Sequence, residues 1–170
     1  MTLGKLGRFE EAETYHFASL RKSRITLGHN HPSVGMTLNN IGLMYHQKSD
    51  KVMAIKYLLE GLEIMKTSKA SDLSQIESLI NIANAYIVIG EFYKATQALE
   101  DSEVIVSRQF LPPLSEISYI NDTWGTLYLK QGQLDKATEM FDNAALGRET
   151  MSYGGTVHVE ILVNAIKVAT

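Results

Sequence analysis

No cysteine occurs among the 170 residues, which excludes disulfides, thiolate metal sites and cysteine nucleophiles. Proline is nearly as scarce: there are three, two of them adjacent at Pro112 and Pro113, so little in the chain interrupts helices. No apolar run approaches the roughly 18 residues that a membrane span requires. The N-terminal stretch MTLGKLGRFEEAE carries no apolar core of the kind a secretory leader needs. Positive charge is not in excess either. Sixteen Lys and Arg stand against 19 Asp and Glu, a net charge of −3, whereas nucleic-acid binders lean the other way because phosphate contacts supply most of their affinity. Neither a P-loop, nor a GxGxxG turn, nor a glycine-flanked nucleophile is present. These absences argue against thiol chemistry, cofactors, nucleic acid and membranes as partners, and they leave catalysis without a visible home.

What the sequence has instead is self-similarity. GRFEEA (7–12), SDKVMA (49–54), GEFYKA (90–95) and GQLDKA (132–137) align without a gap. Their closing alanines, Ala12, Ala54, Ala95 and Ala137, are spaced by 42, 41 and 42 residues. Upstream of the last three lie TLNNIGLMY (37–45), SLINIANAY (78–86) and INDTWGTLY (120–128), whose tyrosines Tyr45, Tyr86 and Tyr128 keep spacings of 41 and 42. A fixed period of this length marks a stack of repeated supersecondary units.

Each unit reads as two helices. Leu38, Ile41, Gly42 and Tyr45 fall on one face of the first helix, and Leu79, Ile82, Ala83 and Tyr86 repeat them. In the second helix the stripe is Ala54, Tyr57, Leu58, Gly61 and Leu62, repeated by Ala95, Ala98, Leu99 and Ser102 and by Ala137, Met140, Phe141 and Ala144. Small residues recur at Ala12/Ser19, Ala54/Gly61, Ala95/Ser102 and Ala137/Ala144, where a large side chain would hold antiparallel helices apart. Gly7, Gly90 and Gly132 stand where the first helix must stop and reverse. Ser49 takes that place in the second copy, so this turn is expected to be strained, with Asp50 capping the next helix. The acidic run from Glu100 to Glu103 reads as a charged outer face, with Glu100 and Asp101 toward solvent, and Trp124 reads as core.

Paired helices with Gly42, Tyr45, Ala54, then Ala83, Tyr86, Gly90, Phe92, Ala95, then Gly125, Tyr128, Gly132, Leu134, Ala137 resemble the tetratricopeptide repeat. The period is about eight residues longer than the usual unit. Leu27-Gly28, His31-Pro32 and Leu38-Asn39-Asn40-Ile41 are similar to the long repeat of kinesin light chains and nephrocystin-like proteins. The resemblance implies an all-α fold, a right-handed superhelical solenoid of about eight helices forming one array over 1–170. The expected parts are a second helix of repeat 1 over about 8–23, repeat 2 over 33–65, repeat 3 over 73–107, repeat 4 over 114–147, and a first helix of repeat 5 over 157–169. Because 157–169 is apolar and has no partner helix, the chain reads as a fragment of something longer, with self-association through its uncapped ends as a further expectation.

His29 and His31 raise the question of a metal pair. A closed zinc site takes about four ligands, and His16, His46 and His158 belong to other elements. The stretch therefore reads as punctuation: Gly28 ends one helix, His31 caps the next, and Pro32 opens it.

The first helices of such pairs line the inner wall of the stack. Away from the interior set, the faces left free are Met36, Asn39, Leu43 and His46; Glu77, Ile80, Asn84 and Ile87; and Tyr119, Asp122, Thr126 and Leu129, with Ile161, Asn164 and Val168 in the last helix. The resemblance implies that these faces bind extended peptides, and an asparagine amide can both donate to and accept from a peptide backbone. Glu77 and Asp122 on this wall, with Lys48 and Lys130 only at its margin, argue against a clamp for a C-terminal carboxylate. Apolar anchors flanked by basic residues fit better. The expected role is a non-catalytic, cytoplasmic adaptor that binds other proteins or peptide motifs, a cargo adaptor in its sharpest form. The alternatives are a regulatory or sensor arm of a multidomain ATPase, kinase or transcription regulator and, resting on the His29/His31 pair alone, a zinc or hydrolytic enzyme.

Overall fold

The computed structural model describes residues 8–111 and 113–153. Among these the chain forms seven helices and no strand: α1 Phe9–Leu27, α2 Pro32–Gln47, α3 Lys51–Thr67, α4 Asp72–Ile89, α5 Phe92–Ser107, α6 Leu114–Lys130 and α7 Leu134–Tyr153. Contacts divide the chain into two compact units, Met1–Ala85 and Tyr86–Thr170, with the division falling inside α4. The expectations for Gly7 and for the helix over 157–169, with Ile161, Asn164 and Val168, lie outside the described residues. The all-α fold class that the repeat resemblance implies holds among the described residues, where neighbouring helices pack in pairs.

Local signals place the helix ends. Pro32 is the first residue of α2, and the ring Nδ1 of His31 accepts the Ser33 N–H at 3.2 Å. His31 therefore works as a helix cap. Gly28 closes α1 at φ +89°, and Asp50 Oδ1 accepts the Met53 N–H at 3.1 Å at the start of α3. Three hairpin turns share one backbone pattern. Asp50, Glu91 and Gln133 donate N–H to the carbonyls of Tyr45, Tyr86 and Tyr128 at 3.0, 3.0 and 2.9 Å. Each bond needs a left-handed residue just before the donor. Gly90 and Gly132 supply it at φ +78° and +76°, while Ser49 is forced to φ +66°. That is the strain expected from the missing glycine.

In the first unit α2 and α3 form a hairpin, with α1 packed on α2. Leu20, Val34, Leu38, Ile41, Met44 and Ala54 are buried together, and Phe17 and Tyr57 pack against them. Helix proximity rests on two glycines: a Cβ at Gly61 would lie 2.8 Å from the Gly35 carbonyl oxygen, and one at Gly35 would lie 2.8 Å from that of Gly61. The backbones of α2 and α3 thus touch where the repeat pattern demands small residues. In the second unit α6 and α7 form the hairpin and α5 packs on α6. A Cβ at Gly125 would lie 2.7 Å from the Phe141 ring, and Leu99, Ile117, Ile120 and Leu127 are fully buried. Helix α7 runs on to Tyr153, six residues into the stretch that reads as a connection. The helix carries through Gly147, and no further glycine or proline follows until Gly154; Thr150 is buried with its hydroxyl donating to the Leu146 carbonyl at 2.8 Å.

Candidate functional site

The interior set of each first helix is indeed inside: Leu38, Ile41 and Ala83 are fully buried, and Leu79 and Ile82 nearly so. This fixes the direction in which the remaining residues of α2, α4 and α6 face. At the N-terminal end of the free faces, Met36, Glu77 and Tyr119, equivalent in the repeat register, are all exposed. One turn further on, Asn39 and Ile80 are buried, and Asp122 is half-buried. Leu43, Asn84 and Thr126 are half-buried. At the C-terminal end His46 is half-buried, Ile87 buried and Leu129 exposed.

The polar groups of these faces already have internal partners. Asn81 Nδ2 donates to Asn39 Oδ1 at 3.4 Å, tying α4 to α2 inside the first unit. Asn84 Nδ2 donates to the Ile80 carbonyl at 3.1 Å within α4. Thr126 Oγ1 donates to the Asp122 carbonyl at 2.9 Å. A ligand backbone meeting Asn39 finds its Oδ1 engaged but its own amide N–H groups still to place. The pKa of His46 is lowered by burial and then by the nearby Lys51 ammonium, so its ring is neutral at pH 7.

Charge on the faces differs from a simple count of residues. Arg148, near the end of α7, donates to Asp122 Oδ2 at 2.5 Å, so the α6 face is less acidic than its sequence reads. Lys48 turns away from the α2 face. Its ammonium donates to Glu13 Oε2 at 3.1 Å and lies 5.8 Å from the Tyr45 ring centroid. The Tyr45 hydroxyl donates to Glu13 Oε1 at 2.7 Å, and with Lys48 this hydrogen bond holds the Glu13 carboxyl below its ordinary pKa. Burial and the Glu13 carboxylate in turn raise that of Tyr45. Lys94 over Tyr86 and Lys136 over Tyr128 repeat the lysine–tyrosine stacking in the second unit, at 5.6 and 5.3 Å.

Another polar cluster lies on the opposite side of α6 from Tyr119 and Asp122. Trp124 Nε1 donates to Glu103 Oε1 at 2.7 Å, and the Trp124 and Tyr128 rings stack at 5.4 Å. Glu103 is only 5% exposed. Burial pushes its pKa up to about 7 against the lowering effect of the Trp124 bond. The acidic run thus splits as a helix dictates: Glu100 and Asp101 are exposed, while Glu103 points inward. The repeat register carries the signal that finds this cluster. Glu103 stands where Leu20 and Leu62 stand, Asn121 where Leu38 and Leu79 stand, and Trp124 where Ile41 and Ile82 stand. Among the described residues, no three His, Asp or Glu side chains gather as a metal site would require, and no helix is long and apolar enough to cross a membrane.

Against known proteins, residues 1–67, the first two fifths of the chain, match the model of the tetratricopeptide repeat family. Over 110 residues the chain is also 30% identical to the anaphase-promoting complex subunit CDC16 of Saccharomyces cerevisiae, an alignment covering 64% of this chain and 12% of that protein. The chain therefore spans a small part of the length of that relative.

Proposed function

We propose that the whole chain is an array of tetratricopeptide-type repeats that serves as a non-catalytic scaffold for other proteins. It would hold peptide segments against the free faces of α2, α4 and α6. The observation that carries this reading is the recurrence of one structural unit through both compact parts. The same turn bond closes the hairpins after Tyr45, Tyr86 and Tyr128, and the first of these units lies inside the matched residues 1–67. A repeat that buries its interior set and leaves Met36 and Glu77 exposed in register within the first unit offers equivalent contact points to an extended ligand, and Tyr119 holds the same register position in the second unit. CDC16 is by its name a subunit of a multiprotein complex, which supports membership of an assembly for this chain.

The finer reading is an adaptor of the kinesin-light-chain type, acting in the cytoplasm. Its support is the Leu27-Gly28, His31-Pro32 and Leu38–Ile41 signature, whose glycine, histidine and proline each have a defined job at the α1–α2 connection. The ligand suited to these faces has apolar side chains that meet Met36, Leu43, Tyr119 and Leu129, and basic ones that meet Glu77.

The test is selection of peptides from a display library on the chain, followed by affinities for Met36→Asp, Glu77→Lys and Tyr119→Asp. Each substitution is on an exposed side chain, so helicity is expected to be unchanged, while affinity should fall about tenfold for a ligand anchored there. Unchanged affinity in all three variants for every selected peptide would refute the assignment of these faces.

A further inference from the structure

Glu103, Asn121 and Trp124 stand where the other repeats have aliphatic core residues, and all three line a cavity. The space, of about 310 Å³, lies between α5, α6 and α7 in the second unit and is lined by Glu100, Glu103, Asn121, Trp124, Tyr128 and Lys136 among others. That volume lies at the lower end of small-ligand pockets.

Two features of the lining call for a ligand, and they are independent of each other. Asn121 is 4% exposed, yet its Nδ2 has no hydrogen-bond partner among the described residues. A buried amide donor left unpaired is costly, and leucine serves at this position in the other repeats. The second feature is charge. Glu103 and Glu100 bring two carboxylates to the cavity and Lys136 one ammonium, and that ammonium rests over the Tyr128 ring at 5.3 Å from its centroid. With Glu103 ionised, one negative charge is left over. Glu103 uses Oε1 for the Trp124 N–H, which leaves Oε2 able to accept from a ligand.

We propose that this cavity binds one organic cation carrying a carbonyl beside it, an arginine residue in preference to lysine. The cation pairs with the Glu103 carboxylate, and the carbonyl accepts from Asn121 Nδ2. A guanidinium suits the site because it is planar, donates through a fixed fork to carboxylates and lies well against aromatic rings. The raised pKa of Glu103 fits the assignment, since burial penalises the carboxylate until a cation joins it. The site is separate from the peptide faces, for Asn121, Trp124 and Tyr128 lie on the other side of α6 from Tyr119, Asp122 and Thr126. Its failure would leave the scaffold reading untouched.

Trp124 is the only tryptophan in the chain, so its emission reports on the cavity directly. The experiment titrates the full chain at pH 8 with Nα-acetyl-arginine amide and with Nα-acetyl-citrulline amide, the neutral isostere. A saturable change in Trp124 emission is expected with the first, and affinity at least about tenfold weaker with the second. Equal response to the two, or none to either, overturns the proposal without any variant. Glu103→Gln keeps the acceptor for Trp124 and should weaken arginine amide binding about tenfold. Glu100→Gln, on an exposed side chain, should weaken it to a smaller extent and serves if Glu103→Gln loses helicity. Free arginine and an acetylated tripeptide with central arginine separate the two sources of the same chemistry: tighter binding of the free amino acid marks a small-molecule site, and tighter binding of the tripeptide marks a pocket for a partner's side chain.

Discussion

Replacing Glu103 with glutamine should make the protein more stable at pH 8 and leave it unchanged at pH 4. The side chain is inside the second unit, with Glu100 beside it on α5, Trp124 and Tyr128 on α6 and Lys136 on α7. Its pKa rises from 4.5 to about 7, chiefly through burial. At 1.36 kcal/mol for each pH unit, this corresponds to about 3 kcal/mol. The sign follows from which state holds the proton more tightly. Here the folded state does, so the stabilisation is fully present below pH 4.5, declines between 4.5 and 7, and is lost above 7. Glutamine has the size and the acceptor of the protonated acid and does not ionise. Glu103→Gln should therefore match the wild type at pH 4 and exceed it by up to about 3 kcal/mol at pH 8. For a chain of this length that is about 6–12 °C in midpoint temperature. Thermal unfolding followed by Trp124 emission, which senses the second unit, gives the measurement. Other groups act in the first unit. Burial lowers the pKa of His16 and His46, so their contribution is lost as pH falls below 6.5. The lowered pKa of Glu13 makes its contribution disappear below 4.5. Both effects are common to wild type and variant and cancel in the difference. Parallel pH profiles, or a less stable variant at pH 8, would refute the reasoning.

Three further substitutions test the backbone of the account. Ser49→Gly should raise stability by about 0.5–1 kcal/mol, because glycine adopts φ +66° without strain; urea unfolding gives the value, and a loss of stability would contradict the turn assignment. Gly132→Ala, at φ +76°, should lower stability by about 1 kcal/mol or more in the same assay. Gly61→Ala should cost about 1–3 kcal/mol, since its Cβ would lie 2.8 Å from the Gly35 carbonyl oxygen and only backbone movement relieves that contact. A neutral result at Gly61 would mean that α2 and α3 do not touch there.

Much of the fold was legible because the sequence repeats. Ala54, Ala95 and Ala137, buried at the helix contacts, and the turn residues Ser49, Gly90 and Gly132 could be read by register, since steric demands recur wherever the unit recurs. The cap at His31 was readable from Pro32 alone. Burial along the free faces was harder. Asn39 and Ile80 lie one turn from exposed residues, and whether a neighbour covers them depends on tertiary contacts such as the Asn81–Asn39 bond. Arg148 reaches Asp122 across 26 residues of sequence, a pairing that no local pattern specifies. Glu103 was hidden by chemistry: a glutamate in an acidic run reads as solvated, although its register position belongs to Leu20 and Leu62. Comparing repeats column by column, rather than reading each helix by its own polarity, is what exposes it.

The most direct test of the scaffold account is to map a bound peptide by amide chemical shifts on the isotope-labelled chain. A library-selected ligand should shift residues of α2 and α4 around Met36 and Glu77, or those of α6 around Tyr119. Shifts confined to α3, α5 or α7, with these faces silent, would contradict it.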